Sequence, residues 1–288
     1  AVSMCFRCGS AGVRQDRLGH AGARDSSGHF KTKMGGIMGK AAFSFGMLVS
    51  ASLFAGAAVA AESHAHWGYE GKGGPAQWAD LEKDFASCKL GKEQSPINIV
   101  AKSAKKGQAP AIKPGYAASR GELLNNGHTI QVNLSEGGSA DLSNGKYKLV
   151  QFHFHTPSEE KIDGKNFPMV AHLVHANDAG QLAVIAVLFR SGKENAALKG
   201  IFQQLPAKEG KVPLAENFNA AGLLPSGLGY YAFKGSLTTP PCSEGVSWHV
   251  LKQPVEMSNG QIAAFRKIFK MNARPVQPVN GREVTDNN

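Results

Sequence analysis

Cysteine is scarce in this 288-residue chain. There are four, and two of them, Cys5 and Cys8, form a CxxC with no partner pair. A lone CxxC is half of a structural zinc site and carries little weight as a metal or redox motif. The chain also lacks a 20–50-residue repeat, a low-complexity block and any linker after residue 61, which points to one domain over residues 62–288. No basic run with interleaved aromatics is present either. The net charge of +10 is divided, with seven Lys/Arg against two Asp/Glu in residues 1–61 and 25 against 20 in the remainder. A nucleic-acid footprint clusters its charge, so nucleic acid is not an expected partner.

What the N-terminal part does have is an uncharged stretch. Met34 opens "MGGIMGKAAFSFGMLVSASLFAGAAVAAESHAHW", in which Lys40 precedes the small, apolar residues 41–61 and "AVAA" offers an A-x-A cleavage site near Ala60 or Ala61. This reads as a secretory signal peptide over residues 34–61, with residues 1–33 an extension outside the mature protein. No stop-transfer charges follow and no cysteine stands at its end, so neither an anchor nor a lipoprotein is expected. The expected place is the periplasm or outside the cell, with no stable membrane insertion after cleavage. Cys88 and Cys242 remain, and an oxidising compartment would pair them. Two free buried thiols are the alternative.

Short strand candidates recur between turn signals: "HTIQVNLS", "KYKLVQFHFH" closed by Pro157, "VAHLVHA" and "QLAVIAVLFR" around an "NDAG" hairpin turn, and "VSWHVLK" ended by Pro254. Helices are fewer. "NAALKGIFQQL" places Leu198, Ile201, Phe202 and Leu205 on one stripe. "SNGQIAAFRKIFK" has Ser258 as N-cap, Gln261 at the capping-box position, and Ile262, Phe265 and Phe269 on one face. The expected class is a sheet-dominated α+β domain with a large, mostly antiparallel central sheet and peripheral helices.

Eight of the ten histidines fall after residue 61. On a strand, His153 and His155 share one face with Gln151, while Phe152 and Phe154 share the other. Two imidazoles spaced two apart can converge on a single metal. His172 and His175, three apart in "VAHLVHA", point to opposite faces of a strand, so one of them can join the pair and the other is structural. Three neutral imidazoles with an open fourth position make a catalytic zinc site, whereas closed structural sites use four protein ligands. Zinc lowers the pKa of water at that position to near neutrality. Gln151 can hold the second ring nitrogen of a ligand. The "HFHTPSE" stretch is also half of a cupin metal motif, but the second, Gly-Pro-rich motif with its own histidine is missing.

Several motifs in order, "HWGYEGKGGPAQW", "CKLGKEQSPINI", "LLNNGHTIQV", "QFHFHTPSE", "AHLVHAND", "GSLTTPPCSEGVSWHVL" and "MNARPVQP", closely resemble the α-class carbonic anhydrases over nearly the whole of residues 62–288. The resemblance implies zinc as cofactor and His153, His155 and His172 as its ligands, leaving His175 structural. It implies reversible hydration of carbon dioxide to bicarbonate and a proton, by a zinc-bound hydroxide. Thr238 would accept a hydrogen bond from that hydroxide and donate one to Glu159. His128 would export the proton, with Tyr69 and Asn126 ordering relay waters. Val174, Val184, Leu237, Thr239, Val246 and Trp248 would form the substrate pocket. Gln151, Val170 and Asn272 would stand behind the ligands. Where the family usually has a glutamate that accepts the ring proton of the third ligand, this chain has Val170. The expectation is weaker zinc binding, or a water or another group in that role. Gln131 and Glu160 sit where the family varies and receive no role. A monomer or dimer is expected. A non-catalytic binding protein of the same family and an esterase-like zinc hydrolase are the alternatives.

Overall fold

The computed structural model describes residues 66–288. The expected extension over residues 1–33, the expected signal peptide over residues 34–61 and the Cys5–Cys8 pair lie outside the described residues. The body is a 13-stranded sheet. In chain order its main strands are β1 (Gly121–Asn125), β2 (Ile130–Leu134), β3 (Gly145–His155), β4 (Met169–Ala176), β5 (Leu182–Ser191), β6 (Tyr230–Ser236) and β7 (Glu244–Leu251). In space they run β1-β2-β3-β4-β5-β7-β6, with the short strand Gly210–Pro213 outside β1, and Thr285–Asn287 and Lys105–Lys106 beyond β6. Neighbours are antiparallel except for β5 with β7, β5 with Val255–Met257, and the Thr285–Lys105 pair. The sheet is therefore mixed, though mostly antiparallel.

Both faces of the central strands are covered. Phe152, Phe154, Ala171, Leu173, Ile185 and Val187 join one apolar cluster, and Val170, Val174, Val184, Ala186, Trp248 and Val250 join a second on the opposite face. Phe152 and Phe154 are fully buried, and each contributes about 2–3 kcal/mol of hydrophobic stabilisation. The hairpin between β4 and β5 forms as its turn residues require. Asn177 Oδ1 accepts from the amides of Ala179 and Gln181, and Gly180 takes φ +76°.

Helix α1 (Asn259–Ile268) starts on a complete capping box between Ser258 and Gln261 and buries Ile262 and Phe265. The helix expected over 195–205 is shorter, Lys199–Gln203. Residues 196–198 form a turn ahead of it, in which Asn195 Oδ1 accepts from the Leu198 amide and its Nδ2 donates to Glu256 O. Cys88 and Cys242 are joined in a disulfide.

Candidate metal centre

Strand pairing builds the site. In the register of β3 with β4, His172 lies directly opposite His153, and Val170 lies opposite His155. Cross-strand partners share a face. His153, two residues from His155, therefore brings both rings beside His172 on the side of the sheet that carries Val170 and Val174. Ring centroids are 5.0 Å apart for His153–His155, 5.5 Å for His153–His172 and 4.8 Å for His155–His172. One nitrogen from each ring lies within 4.8 Å of one from each of the others. His175 faces the other way and bonds the Tyr116 hydroxyl through Nε2 at 2.8 Å.

The outer ring nitrogens are all engaged. His153 Nδ1 lies 2.9 Å from Gln151 Oε1. His155 Nδ1 donates to the Asn272 carbonyl at 2.6 Å. His172 Nε2 donates to the Glu160 carboxylate, 3.0 Å and 3.2 Å from its two oxygens. A carbonyl and a carboxylate only accept, so these bonds fix the protons on the outer nitrogens. The inner atoms, His153 Nε2, His155 Nε2 and His172 Nδ1, are left with their lone pairs facing one another. Buried His155 Nε2 has no hydrogen-bond partner among the described residues. Three convergent imidazole nitrogens, each backed by an outer acceptor, form a donor set that could hold a metal ion.

Electrostatics agree with neutral rings at two positions. Burial, then the neighbouring His172, pulls His153 down to about 3, and the same causes hold His155 well below the usual histidine range. For His172, burial acts downward, but Glu160 and then Glu159 outweigh it and leave the ring raised. Burial pushes Glu159 up to about 7, with Glu160 adding to it, while His172, the Arg274 amide and the Thr238 hydroxyl pull it back. A dication among the rings would lower that carboxyl further.

Val170, opposite His155 in the strand register, offers the third ligand no acceptor. Its side chain is packed into the apolar cluster and carries no acceptor. The acceptor is Glu160, ten residues earlier and fully buried. Nothing in strand periodicity marks it, because it follows the Thr156–Pro157 turn and is carried by the segment leading to the short strand Lys161–Ile162. Gln151 lies behind His153, and the Asn272 carbonyl lies behind His155. Asn272 also donates through Nδ2 to the carbonyls of His128 and Phe154, tying the His128 loop to the ligand strand.

Glu159 Oε1 accepts from the Arg274 amide at 2.8 Å, and the nearby Thr238 hydroxyl helps to pull the Glu159 carboxyl down. Val174, Val184, Val246 and Trp248 share one apolar cluster with Leu237 packed against it, and the Trp248 ring lies 5.0 Å from that of His172. Half-buried His128 stacks on Trp67 with centroids 3.6 Å apart and planes 9° from parallel. Its turn is set by Asn126, whose Oδ1 accepts from the amides of His128 and Thr129, and by Gly127 at φ +82°. The Tyr69 hydroxyl is buried without a hydrogen-bond partner among the described residues. The Trp67 stack was not anticipated from sequence, since nothing local links residues 67 and 128.

Comparison with known proteins agrees with this geometry. The family model for eukaryotic-type carbonic anhydrase matches residues 73–288. A carbonic anhydrase of Neisseria gonorrhoeae is 47% identical over 242 residues, covering 83% of this chain and 94% of that protein. One from Pectobacterium carotovorum is 48% identical over 222 residues, covering 75% and 89%. The structure of Thermovibrio ammonificans α-carbonic anhydrase with the inhibitor sulfanilamide matches with a TM-score of 0.75 at 44% identity, covering 77% of this chain and 99% of that one. The chain belongs to the α-carbonic anhydrase family.

Proposed function

We propose that this protein is a zinc enzyme that interconverts carbon dioxide and bicarbonate, exported to an oxidising compartment. The carrying observation is the set of three inner nitrogens, each left free by a hydrogen bond on the opposite side of its ring. His153, His155 and His172 would hold the zinc, which when bound ionises water near neutral pH.

The protein's own groups account for the remainder. The Thr238 hydroxyl has one proton, which it donates to Glu159, so its oxygen can only accept from the attacking water and aims that water's lone pair. Carbon dioxide is uncharged and almost without dipole, and the apolar wall of Val174, Val184, Val246 and Trp248 suits it. Each hydration leaves one proton to remove. His128 is lowered from the ordinary histidine value by burial first and His66 second, against Glu209. At neutral pH it is therefore an empty acceptor. The disulfide supports export, and no helix among the described residues is long and apolar enough to cross a membrane.

Metal analysis combined with stopped-flow hydration tests the reading. One zinc per chain is expected, with activity lost to a strong chelator and regained with zinc. Zinc without hydration would instead identify a binding protein. Replacing His128 by alanine should lower kcat at least tenfold in weak buffer, about 1.4 kcal/mol in the barrier, while kcat/KM stays within about twofold. Concentrated imidazole buffer should restore kcat. An unchanged kcat in weak buffer would remove His128 from the relay.

A further inference from the structure

The third histidine has an unusual support. A glutamate two residues before His172 would share its strand face, but valine occupies that place and is sealed into an apolar cluster. The acceptor comes instead from a different segment. Glu160 reaches the ring from the stretch between β3 and β4, and both its oxygens lie within hydrogen-bond distance of Nε2. The carboxylate is fully buried, and among the described residues the His172 ring is its hydrogen-bond partner.

The backbone around Glu160 is pinned. The Ser158 hydroxyl donates to the Glu160 carbonyl at 2.7 Å and accepts from the Phe167 amide at 2.9 Å. The Lys161 amide bonds Ile97 O, and Lys161 pairs with Asn98. A buried carboxylate with both oxygens aimed at one N–H, on a backbone fixed at both sides, is preorganised for that donor.

We propose that Glu160 is the positioning residue of the metal centre, fixing the proton of His172 on Nε2 and thereby presenting Nδ1 to zinc in place of the missing glutamate at position 170. This rests on the zinc reading above. It replaces the expectation of weakened binding, because the acceptor is present and has only moved in sequence. Glu160 touches neither substrate nor metal and acts through the His172 ring.

The test uses the zinc-loaded protein and follows metal transfer to a chromophoric chelator. Wild type is loaded first, and failure to hold zinc sinks both this proposal and the zinc reading. With zinc held, Glu160→Gln keeps the shape but not the charge, and should release zinc about 10–100-fold faster, the usual effect of losing such support. Val170→Glu alone should not slow release, since the ring N–H already has its acceptor. Glu160→Ala combined with Val170→Glu should recover part of the loss, which a purely packing role for Glu160 would not allow. The downfield ring N–H resonance of His172 should move in Glu160→Gln while that of His155 stays. Wild-type release rates in Glu160→Gln, or tighter zinc in Val170→Glu alone, would overturn the proposal and leave the zinc reading intact.

Discussion

Thr238→Val should lower kcat/KM for carbon dioxide hydration about 100-fold while the zinc content stays at that of wild type. Valine keeps the volume of threonine and loses only the hydroxyl. The loop is held independently of that group, by Leu237 N to Ser243 O at 3.0 Å and Cys242 N to Thr239 O at 2.8 Å. In the proposed mechanism what is lost is the acceptor that orients the attacking water, and misplacement by about 1 Å costs on the order of 10²-fold. A second consequence follows from Glu159. The Thr238 bond lowers its pKa, so removing that bond raises it, and the acid limb of the pH–rate profile should shift to higher pH. Activity within about threefold of wild type would show that the hydroxyl aims nothing.

The second large effect concerns stability. Replacing Cys88 and Cys242 by serine should cost about 5 kcal/mol, because the bond closes a loop with a sequence separation of 154 and loop-closure entropy grows with the logarithm of length. For a domain of this size that corresponds to roughly 10–20 °C in Tm. Cys88 packs with Trp78 and Phe85, and the Cys242 carbonyl accepts from Gln94 Nε2. The bond thus fastens the N-terminal helical turns to the loop that carries Thr238. Differential scanning calorimetry of the double variant at matched zinc occupancy checks this, and a shift under about 3 °C would mean that loop closure contributes little here.

How much of this was readable beforehand depended on whether the determinant was local. The alternation of β3 set His153 and His155 on one face, the Ser258–Gln261 box set the start of α1, and "NDAG" set the hairpin, because each acts within a few residues. The choice between His172 and His175 was only halved by strand period; the pairing of β4 with β3 completes it, with a register shift between Val174 and His175. Glu160 and the Trp67–His128 stack were illegible, since both arise where segments distant along the chain meet. The two- to four-residue outer strands, such as Lys105–Lys106 and Lys113–Tyr116, carry too little pattern to be seen at all.

The placement of His172 opposite His153 also makes the site a proofreading device for assembly. A strand has only two sides, so sliding β4 past β3 by a single position would turn Ala171 or Leu173 toward the two imidazoles and drive His172 into the phenylalanine-rich layer. Mispaired chains then present two nitrogens instead of three. Only the native pairing offers all three nitrogens, so metal uptake during refolding should report the fraction of molecules that have found it.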